Sequence, residues 1–452
     1  MAVRRTNRRC IRVRIGRVSL YLHHGAWWVY YRDGDKQIRK RVGIDRADAE
    51  RVAAEVNAQV VSAAPTMFAF DPVRVSELCT SFLRHHEQVS RSAVSTISRY
   101  RAATQHLVDY VASLGRDLKA HEISASGFVN FLRSRLVSPN GHANTSRRRL
   151  RDKGVQFILE VCRSMFAFAQ RQRCLPPYAT NPFAELRLDR MRIEDAKAVF
   201  VFDANTENQF LRAARDWEFA VHFTLAKTGM RPGELCHLLI EELVLAEKWL
   251  RVRNKPELGW SVKTRNERNV PLIQELIDVL RRVIGDRTAG PVFRRPRFAA
   301  THSDCATADV RQLIKILQRR ESAAAAHAGI DLSRTQKLRL AQSIWRDAGA
   351  LDPDQIRTSF IRIAKRCSLE DASCPKSWRH TFATLLQDAN VDPLLRQITL
   401  GHQPSGSGGA LGMTGVYTHS RPATHAREIE RALQTWPETL NLARDWAQGG
   451  VL

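Results

Sequence analysis

Four short segments of the 452-residue chain carry side chains that could hold an anion such as a phosphate or move a proton. The first is Thr228-Gly229-Met230-Arg231-Pro232-Gly233-Glu234-Leu235. Leu235, Leu238 and Leu239 form an apolar stripe, so a helix follows Arg231. Arg231 and Glu234 stand three apart and share a face of that helix. Glu234 can hold the guanidinium while its fork faces an anion. Taken alone, the pair reads better as a surface ion pair. The second segment is Val262-Lys263-Thr264 followed by Arg268-Asn269-Val270-Pro271-Leu272, a hairpin with Lys263 near its tip. Such a lysine can reach a substrate and give up a proton, or can simply be solvated. The third is Lys376-Ser377-Trp378-Arg379-His380-Thr381-Phe382-Ala383, with Lys376 and Arg379 three apart. Asp392 then caps a short helix opened by Pro393 and ended by Gly401, and His402 follows at once. The last is Val416-Tyr417-Thr418-His419.

These segments need elements to position them, and the chain punctuates itself clearly. At roughly 150 residues per domain its length suggests about three domains. Residues 1–62 read as three strands plus a helix. Val18 to Leu22 alternates, as does Trp27 to Arg32, Asp33-Gly34 makes a hairpin turn, and a third strand covers Gln37 to Val42. Asp45 can cap a helix from Arg46 to Val60. Alternation places Val18, Leu20, Leu22, Trp27, Val29, Tyr31, Ile38 and Val42 toward that helix. It leaves Tyr21, Trp28, Tyr30, Arg32, Arg39 and Arg41 on the other face. That face suits a DNA major groove, or is plain packing with a solvated rim. The first twenty residues hold seven arginines and no acid, which reads as a solvated arm or a DNA-contacting tail.

Residues 62 to 71, with Pro65 and then Pro72, read as a linker. Residues 73–184 are helical in pattern, with helices over 75–88, 93–114, 126–136 and 144–172. Arg147, Arg148, Arg149, Arg151 and Lys153 open the last of these, and Asn181-Pro182 closes the unit. It is a basic helical clamp for DNA or a helical interaction module. Residues 195–452 form a mixed, mostly helical unit. Its stretch around 295–355 is Ala-rich and charged, and reads as a helical insertion. The whole is a mainly α chain with small β elements.

Lys and Arg number 71 against 46 Asp and Glu, a net charge of +25, and 44% of the residues are hydrophobic. A chain so composed can bury real cores, and its excess charge calls for a polyanion, most simply nucleic acid. No apolar run approaches the ~20 residues of a membrane span. Arg12, Arg14 and Arg17 interrupt any signal-peptide core, so a cytoplasmic location is expected. The eight cysteines are scattered without a CxxC pair, which argues against a structural metal or a disulfide framework. No Gly-Lys dipeptide occurs, so there is no phosphate-cradling P-loop. No cofactor and no metal site are expected.

Taken together, Arg231, Lys263, Lys376-x-x-Arg379, Leu400-Gly401-His402 and Tyr417 resemble, in order, the signature of the tyrosine recombinases, the phage-type integrases. Residues 73–184 are similar to that family's core-binding domain, including Asn181-Pro182-Phe183, and residues 1–62 look like the arm-type DNA-binding domain of its larger members. The resemblance implies a site-specific recombinase that cuts and rejoins double-stranded DNA, integrating or excising a mobile element or prophage. Its catalytic residues would be Arg231, Lys263, Lys376, Arg379, His402 and Tyr417, supported by Glu234 and His380. DNA contacts would come from Trp28, Tyr30, Arg32, Arg39, Arg41, Arg147, Arg148 and Arg151. Implied partners are DNA, three further copies in a tetramer on paired sites, and accessory proteins that bend DNA or set direction, with no membrane. The implied location is the nucleoid. Two departures stand out. Lys376 occupies a position that is usually His, and His402 and Tyr417 are 15 positions apart, longer than usual.

The chemistry suits the residues. Two arginines can clamp the non-bridging oxygens of a pentavalent transition state, and His402 adds a donor. Tyr417 would attack phosphorus to give a 3′-phosphotyrosine, and Lys263 would protonate the leaving 5′-oxygen. Three alternatives stand beside this. A type IB topoisomerase shares the chemistry, but a separate arm-like sheet favours recombination between two sites. A catalytically inactive DNA-binding accessory protein would not need the complete set. A metal-dependent carboxylate transposase needs an acidic triad for which no motif is present.

Overall fold

The computed structural model describes residues 11–138, 145–195, 198–263, 265–296, 298, 303–402 and 421–450. It divides into two compact units, Met1–Ala196 and Lys197–Leu452. The first unit opens with four antiparallel strands in sequence order, β1 (Arg12–Ile15), β2 (Val18–His23), β3 (Ala26–Asp33) and β4 (Lys36–Gly43). Val18, Leu20, Trp27, Val29 and Tyr31 are buried under helix α1 (Arg46–Val61), which packs Ala49, Ala53 and Val56 against them. The Asp45 carboxylate caps α1 by accepting from Asp48 N at 2.8 Å.

The sheet corrects the expectation of three strands. Arg12 and Arg14 alternate with Val13 and Ile15, so the arginine-rich start is an edge strand rather than a free arm over those residues. Its turn is pinned by α1. Gly16 lies at φ +57°, and a Cβ there would sit 2.2 Å from Asn57 Oδ1, the atom that accepts from Arg17 N at 2.8 Å. Asp33 pairs with Lys36, so the β3–β4 turn centres on Gly34-Asp35 rather than on Asp33-Gly34.

Residues 62–71 are also not a free linker. The Tyr31 hydroxyl and Thr66 Oγ1 share a buried hydrogen bond of 2.8 Å, and Met67 N donates to Gln59 Oε1 at 2.8 Å. On the other side Tyr178 donates to Pro65 O at 2.6 Å and Asp71 N to Arg173 O at 2.9 Å. Tyr178 and Tyr31 come from distant sequence, so no local pattern predicted these anchors.

Helices α2 (Val75–Gln88), α3 (Val94–Ser113), α4 (Ala125–Ser134) and α5 (Asp152–Arg171) enclose a core that includes Phe82, Leu107, Phe128, Phe166 and Phe183. The helix expected from residue 144 begins only at Asp152. Arg148–Arg149 (β6) instead pairs with Leu136–Val137 (β5), which holds that stretch extended. Arg147, Arg148, Arg149 and Arg151 therefore precede the helix, and all four are exposed. Asn181 closes the unit by donating to Arg163 O at 2.9 Å and accepting from Phe183 N at 3.0 Å.

The second unit runs through α6 (Ala204–Arg212), α7 (Asp216–Thr228), α8 (Pro232–Cys236), the three-stranded sheet β7 (Leu243–Val244), β8 (Trp249–Val252) and β9 (Arg268–Pro271), and α9 (Gln274–Ile284). Then come α10 (Val310–Ala328), α11 (Arg334–Asp347), α12 (Pro353–Arg366), α13 (Lys376–Asp388), α14 (Pro393–Leu400), α15 (Pro422–Leu433) and α16 (Pro437–Ala447). The molecule is mainly helical with small sheets, as the sequence implies. The insertion is the α10–α11 pair, with a small core of its own around Leu313, Leu317, Ala341, Ile344 and Trp345. Among the described residues no helix is long and apolar enough to cross a membrane.

Helix α7 is buried along nearly its whole length and brings polar groups inside with it. Each is satisfied. Trp378 Nε1 donates to His222 Nδ1 at 3.2 Å, so the other ring nitrogen, Nε2, carries the proton toward Ser359 Oγ at 3.2 Å. Ser359 donates to Glu218 Oε1 at 2.9 Å, and Arg362 also binds Glu218. Burial pushes the His222 pKa down to about 3, so the imidazole is neutral. Trp378 stacks on Phe202 with ring centroids 4.0 Å apart. These contacts fix the first turns of α13.

Lys227, also on α7, donates to Glu207 Oε1 at 2.5 Å and to Thr439 Oγ1 at 2.9 Å, with both charged side chains 1% exposed. Removing one member of such a pair leaves a buried charge and costs about 3–5 kcal/mol. Lys227→Met should lower stability by that amount in urea denaturation, and adding Glu207→Leu should recover most of the loss. An unchanged midpoint for Lys227→Met alone would contradict the pairing.

Candidate active site

Helix α7 ends at Gly229, whose φ of +60° turns the chain back. A Cβ there would lie 2.5 Å from Phe382 Cδ1 and 3.1 Å from Leu400 Cδ2, so only glycine lets this turn rest on α13 and α14. Arg231 follows as the residue before α8, with Pro232 in the first helical position. Glu234 then reaches back. Its Oε2 accepts from Arg231 N at 2.9 Å and its Oε1 from Arg231 Nη1 at 2.8 Å. The surface-pair alternative fails at this point, because Glu234 is only 3% exposed.

A second arginine reaches the same carboxylate. Arg268, at the start of β9, donates to Glu234 through Nη2 at 2.6 Å and Nη1 at 3.2 Å, and its Nε donates to Thr399 O at 2.8 Å. Burial by itself would raise the Glu234 pKa. The hydrogen bonds and charge of Arg268, with those of Arg231, outweigh burial and hold the carboxyl below its usual range. Glu234 is thus an anion at neutral pH, clasped by two guanidinium groups.

Arg379, in the first turn of α13, is buried and held by backbone carbonyls. Nη1 donates to Gly229 O at 2.8 Å, and Nη2 donates to Leu400 O. The same Nη2 lies 3.1 Å from His402 Nε2. Burial and the neighbouring Arg231 bring the Arg379 pKa down to about 10, which leaves it charged at pH 7. Burial first, then Arg379, Arg231 and Arg268, also lower the pKa of His402. A guanidinium can only donate, so in this geometry His402 Nε2 accepts and the ring's proton sits on Nδ1. The donor expected from His402 is therefore Nδ1 in this arrangement.

Asp392 caps α14 by accepting from Leu394 N at 2.7 Å, with Pro393 at the first helical position. Gly401 ends that helix at φ +69°, and a Cβ there would lie 2.9 Å from Arg268 Cδ. Thr399 continues the assembly. Its Oγ1 meets His425 Nε2 of α15 at 2.6 Å while its carbonyl takes Arg268. A cleft opens beside these groups, lined by Trp249, Arg251, Arg268, Gly401, His402 and His425.

The structure thus brings Arg231, Glu234, Arg379 and His402 together. Lys263 is exposed, in the turn that follows buried Val262 within the β8–β9 connection. Lys376 is exposed at the start of α13, whereas Arg379, three residues on, is buried. His380 is half-buried. Its pKa is lowered by burial, then by Lys376 and Arg379, and its Nε2 is enclosed without a hydrogen-bond partner. Tyr417 and His419 lie outside the described residues. Sequence reasoning missed Arg268, Thr399 and the carbonyls of Gly229 and Leu400. For Arg268 a signal existed, because it alternates with Val270 and so shares the inward face of β9.

In the first unit, the sheet face opposite α1 carries Tyr21, Trp28 and Tyr30 beside exposed Arg32, Arg39 and Arg41, and Arg12 and Arg14 of β1 join it. The Arg39 guanidinium lies 5.1 Å from the Tyr21 ring and 5.2 Å from the Trp28 ring.

Residues 201–424 match the model of the phage integrase family. Comparison with curated protein sequences gives no match. Among solved structures the chain is similar to a lambda integrase dimer bound to a COC′ core site, at 14% identity and TM-score 0.48, covering 85% of this chain and 92% of that one. It is similar to the Tn1549 transposon integrase in complex with circular intermediate DNA, at 17% identity and TM-score 0.49, covering 79% and 99%. It is also similar to a lambda integrase tetramer bound to a Holliday junction, at 15% identity and TM-score 0.44, covering 87% and 98%. Through its residues 201–424, with the ordered arginines and histidine that they carry, the chain belongs to the phage integrase family, the tyrosine recombinases.

Proposed function

We propose that this tyrosine recombinase integrates or excises a mobile element by exchanging strands between two specific double-stranded DNA sites, with Tyr417 as its nucleophile. The observation that carries the reading is the arginine cluster in which Arg231 and Arg268 bind the buried Glu234 carboxylate and Arg379, perturbed by both, meets His402. Three arginines and one carboxylate leave a positive surplus at the site. A scissile phosphate brings the missing negative charge.

The steps balance without an external energy source. Tyr417 Oη attacks phosphorus, its proton is released, and the P–O5′ bond breaks. Lys263 protonates the departing 5′-oxygen. The product is a 3′-phosphotyrosine and a free 5′-hydroxyl. A 5′-hydroxyl from the other site then attacks the phosphotyrosine, forms a new phosphodiester and releases Tyr417. One phosphodiester is exchanged for another, so the bond energy is kept. Recombining two duplexes requires four such cuts and hence four nucleophiles, which favours a tetramer on paired sites. Arg231 and Arg379 would clamp the non-bridging oxygens, Glu234 would orient Arg231, and Lys376 and His380 would contact DNA or substrate from the start of α13. The protein would act in the cytoplasm on nucleoid DNA, with DNA-bending or directionality proteins as further partners.

We assign residues 1–62 as an arm-type DNA-binding domain, 73–184 as a core-binding domain and 195–452 as the catalytic domain. Support for the first comes from its face of arginines and aromatic rings, which carries no acidic residue along β1 and β2. Trp28, Tyr30, Arg32, Arg39 and Arg41 can read base edges in a groove, each good pair being worth ~1–3 kcal/mol of discrimination. Exposed Arg147, Arg148 and Arg151 would hold phosphates at the core site.

The test is covalent trapping. On a nicked duplex carrying the junction sequence of the element that encodes the chain, wild-type protein should form an adduct resistant to denaturant. Tyr417→Phe should bind the same duplex and form none; an adduct in that variant would assign the nucleophile elsewhere. For the arm domain, the double variant Arg39→Ala/Arg41→Ala should keep crossover-site cleavage and lose footprint protection at a second class of site. Substitution suits this test better than deletion, because residues 65–67 bond both to the sheet domain and to Tyr178. Identical footprints from wild type and variant would reject the arm assignment and leave the catalytic one standing.

A further inference from the structure

The α10–α11 appendage is not simply an excursion. Its base sits on the connection that carries Lys263. Within that connection Lys255 and Trp260 pair through their backbones at 3.0 and 3.1 Å, which closes a loop around Pro256, Leu258 and Gly259. Leu258 is buried in the appendage's own core. Trp345 of α11 donates from Nε1 to Leu258 O at 3.0 Å. Gly259 lies at φ +67°, and a Cβ on it would stand 2.9 Å from Ala341 Cβ and 3.0 Å from Leu338 Cδ1. The loop and α11 are therefore in close contact over several residues.

Three rings extend this contact toward the arginine cluster. His237 stacks on Trp260, with centroids 4.9 Å apart and planes 15° apart. The same imidazole meets Trp345 in a T-shaped contact, at 4.7 Å and 80°. His237 Nδ1 donates to Gly233 O at 2.7 Å, inside the short helix that Arg231 opens. Trp260 lies three residues before Lys263, with buried Val262 between them. Beyond Val262 the turn is closed by Arg265 N donating to Val262 O at 2.8 Å and by Val262 N donating to Asn254 Oδ1 at 2.9 Å.

We propose that Trp345 of the appendage is a positioning residue for Lys263: by clamping the His237–Trp260 stack and the Leu258 carbonyl it fixes the Lys263 turn relative to Arg231. The inference rests on Lys263 being the acid that protonates the leaving 5′-oxygen. A lysine in an exposed turn has no local packing of its own to set where its ammonium stands. Here the partly buried Trp260 three residues upstream supplies that constraint, and α11 completes it. Small displacements of a proton donor are expensive, a shift of 1 Å costing up to ~100-fold in rate.

A change of leaving group separates this role from a general loss of structure. Two nicked duplexes are compared, one with the normal scissile phosphodiester and one with sulfur in place of the bridging 5′-oxygen. A thiol has a pKa of roughly 8.5, far below that of an alcohol, so the thiolate departs without an acid. Trp345→Ala should cut the oxygen substrate ~100-fold more slowly than wild type and the sulfur substrate within a few-fold of it. Trp345→Phe, which keeps an aromatic ring against His237 and most of the core volume but has no N–H for Leu258, should lie between, with the same preference for sulfur; should Trp345→Ala not fold, this variant alone decides. Lys263→Ala is the reference and must also be rescued by sulfur. If Lys263→Ala is not rescued, the acid assignment fails. If Lys263→Ala is rescued but the Trp345 variants lose equal activity on both substrates, or none, the positioning role is overturned.

Discussion

Glu234 accepts four hydrogen bonds, from the Arg231 backbone and side chain and from the fork of Arg268, while it is almost fully enclosed. Much of the second unit is arranged around that contact. Like charges 4 Å apart repel by about 4 kcal/mol at an effective dielectric of 20. Beside burial, Arg231 and Arg268 lower the Arg379 pKa, and Glu234 is the acidic group that opposes them there. Without it the arginines would be driven toward solvent. With it they stay close while the cluster keeps a net positive charge.

The scaffold transmits this requirement outward. Arg268 can reach Glu234 only if β9 lies beside α14, and the Arg268–Thr399 bond and the bare Gly401 make that approach possible. Arg379 needs the carbonyls at both helix ends, Gly229 and Leu400, and each sits in or beside a left-handed turn that glycine provides. The buried chain from Trp378 through His222 and Ser359 to Glu218 then fixes the turn of α13 that holds Arg379. A neutral His222 is essential to that chain, since its Nδ1 must accept from Trp378.

The residues with local signatures could be read before any coordinates. Gly229-Met230-Arg231-Pro232, the Asp392 cap and the Gly401 stop are short-range features, and each forms as its spacing implies. The alternation of Val18 to Tyr31 likewise identified the buried face of the sheet. What was not legible depended on long-range partners. Arg268 looks like any polar residue of a hairpin until Glu234 and Thr399 surround it. Trp345 belongs to a segment whose composition suggested only a helical insertion. The strand at Arg12 to Ile15 was hidden because its charged face drew more notice than its alternation. The helix expected from residue 144 failed for a similar reason, since β6 exists only through pairing with β5. Lys376 and Arg379 share a helical spacing, yet burial separates them.

The most direct measurement concerns the charge of Glu234. Glu234→Gln keeps the length of the side chain and removes the negative charge, leaving Arg231 and Arg268 facing a neutral amide. The rate of covalent complex formation on a nicked duplex should be measured beside equilibrium binding to the intact duplex. If the carboxylate holds the phosphate-binding arginines in place, the rate should fall on the order of 100-fold, near the loss of one transition-state donor, while duplex affinity stays within a few-fold. A Glu234→Gln protein that forms the adduct at the wild-type rate would contradict the account.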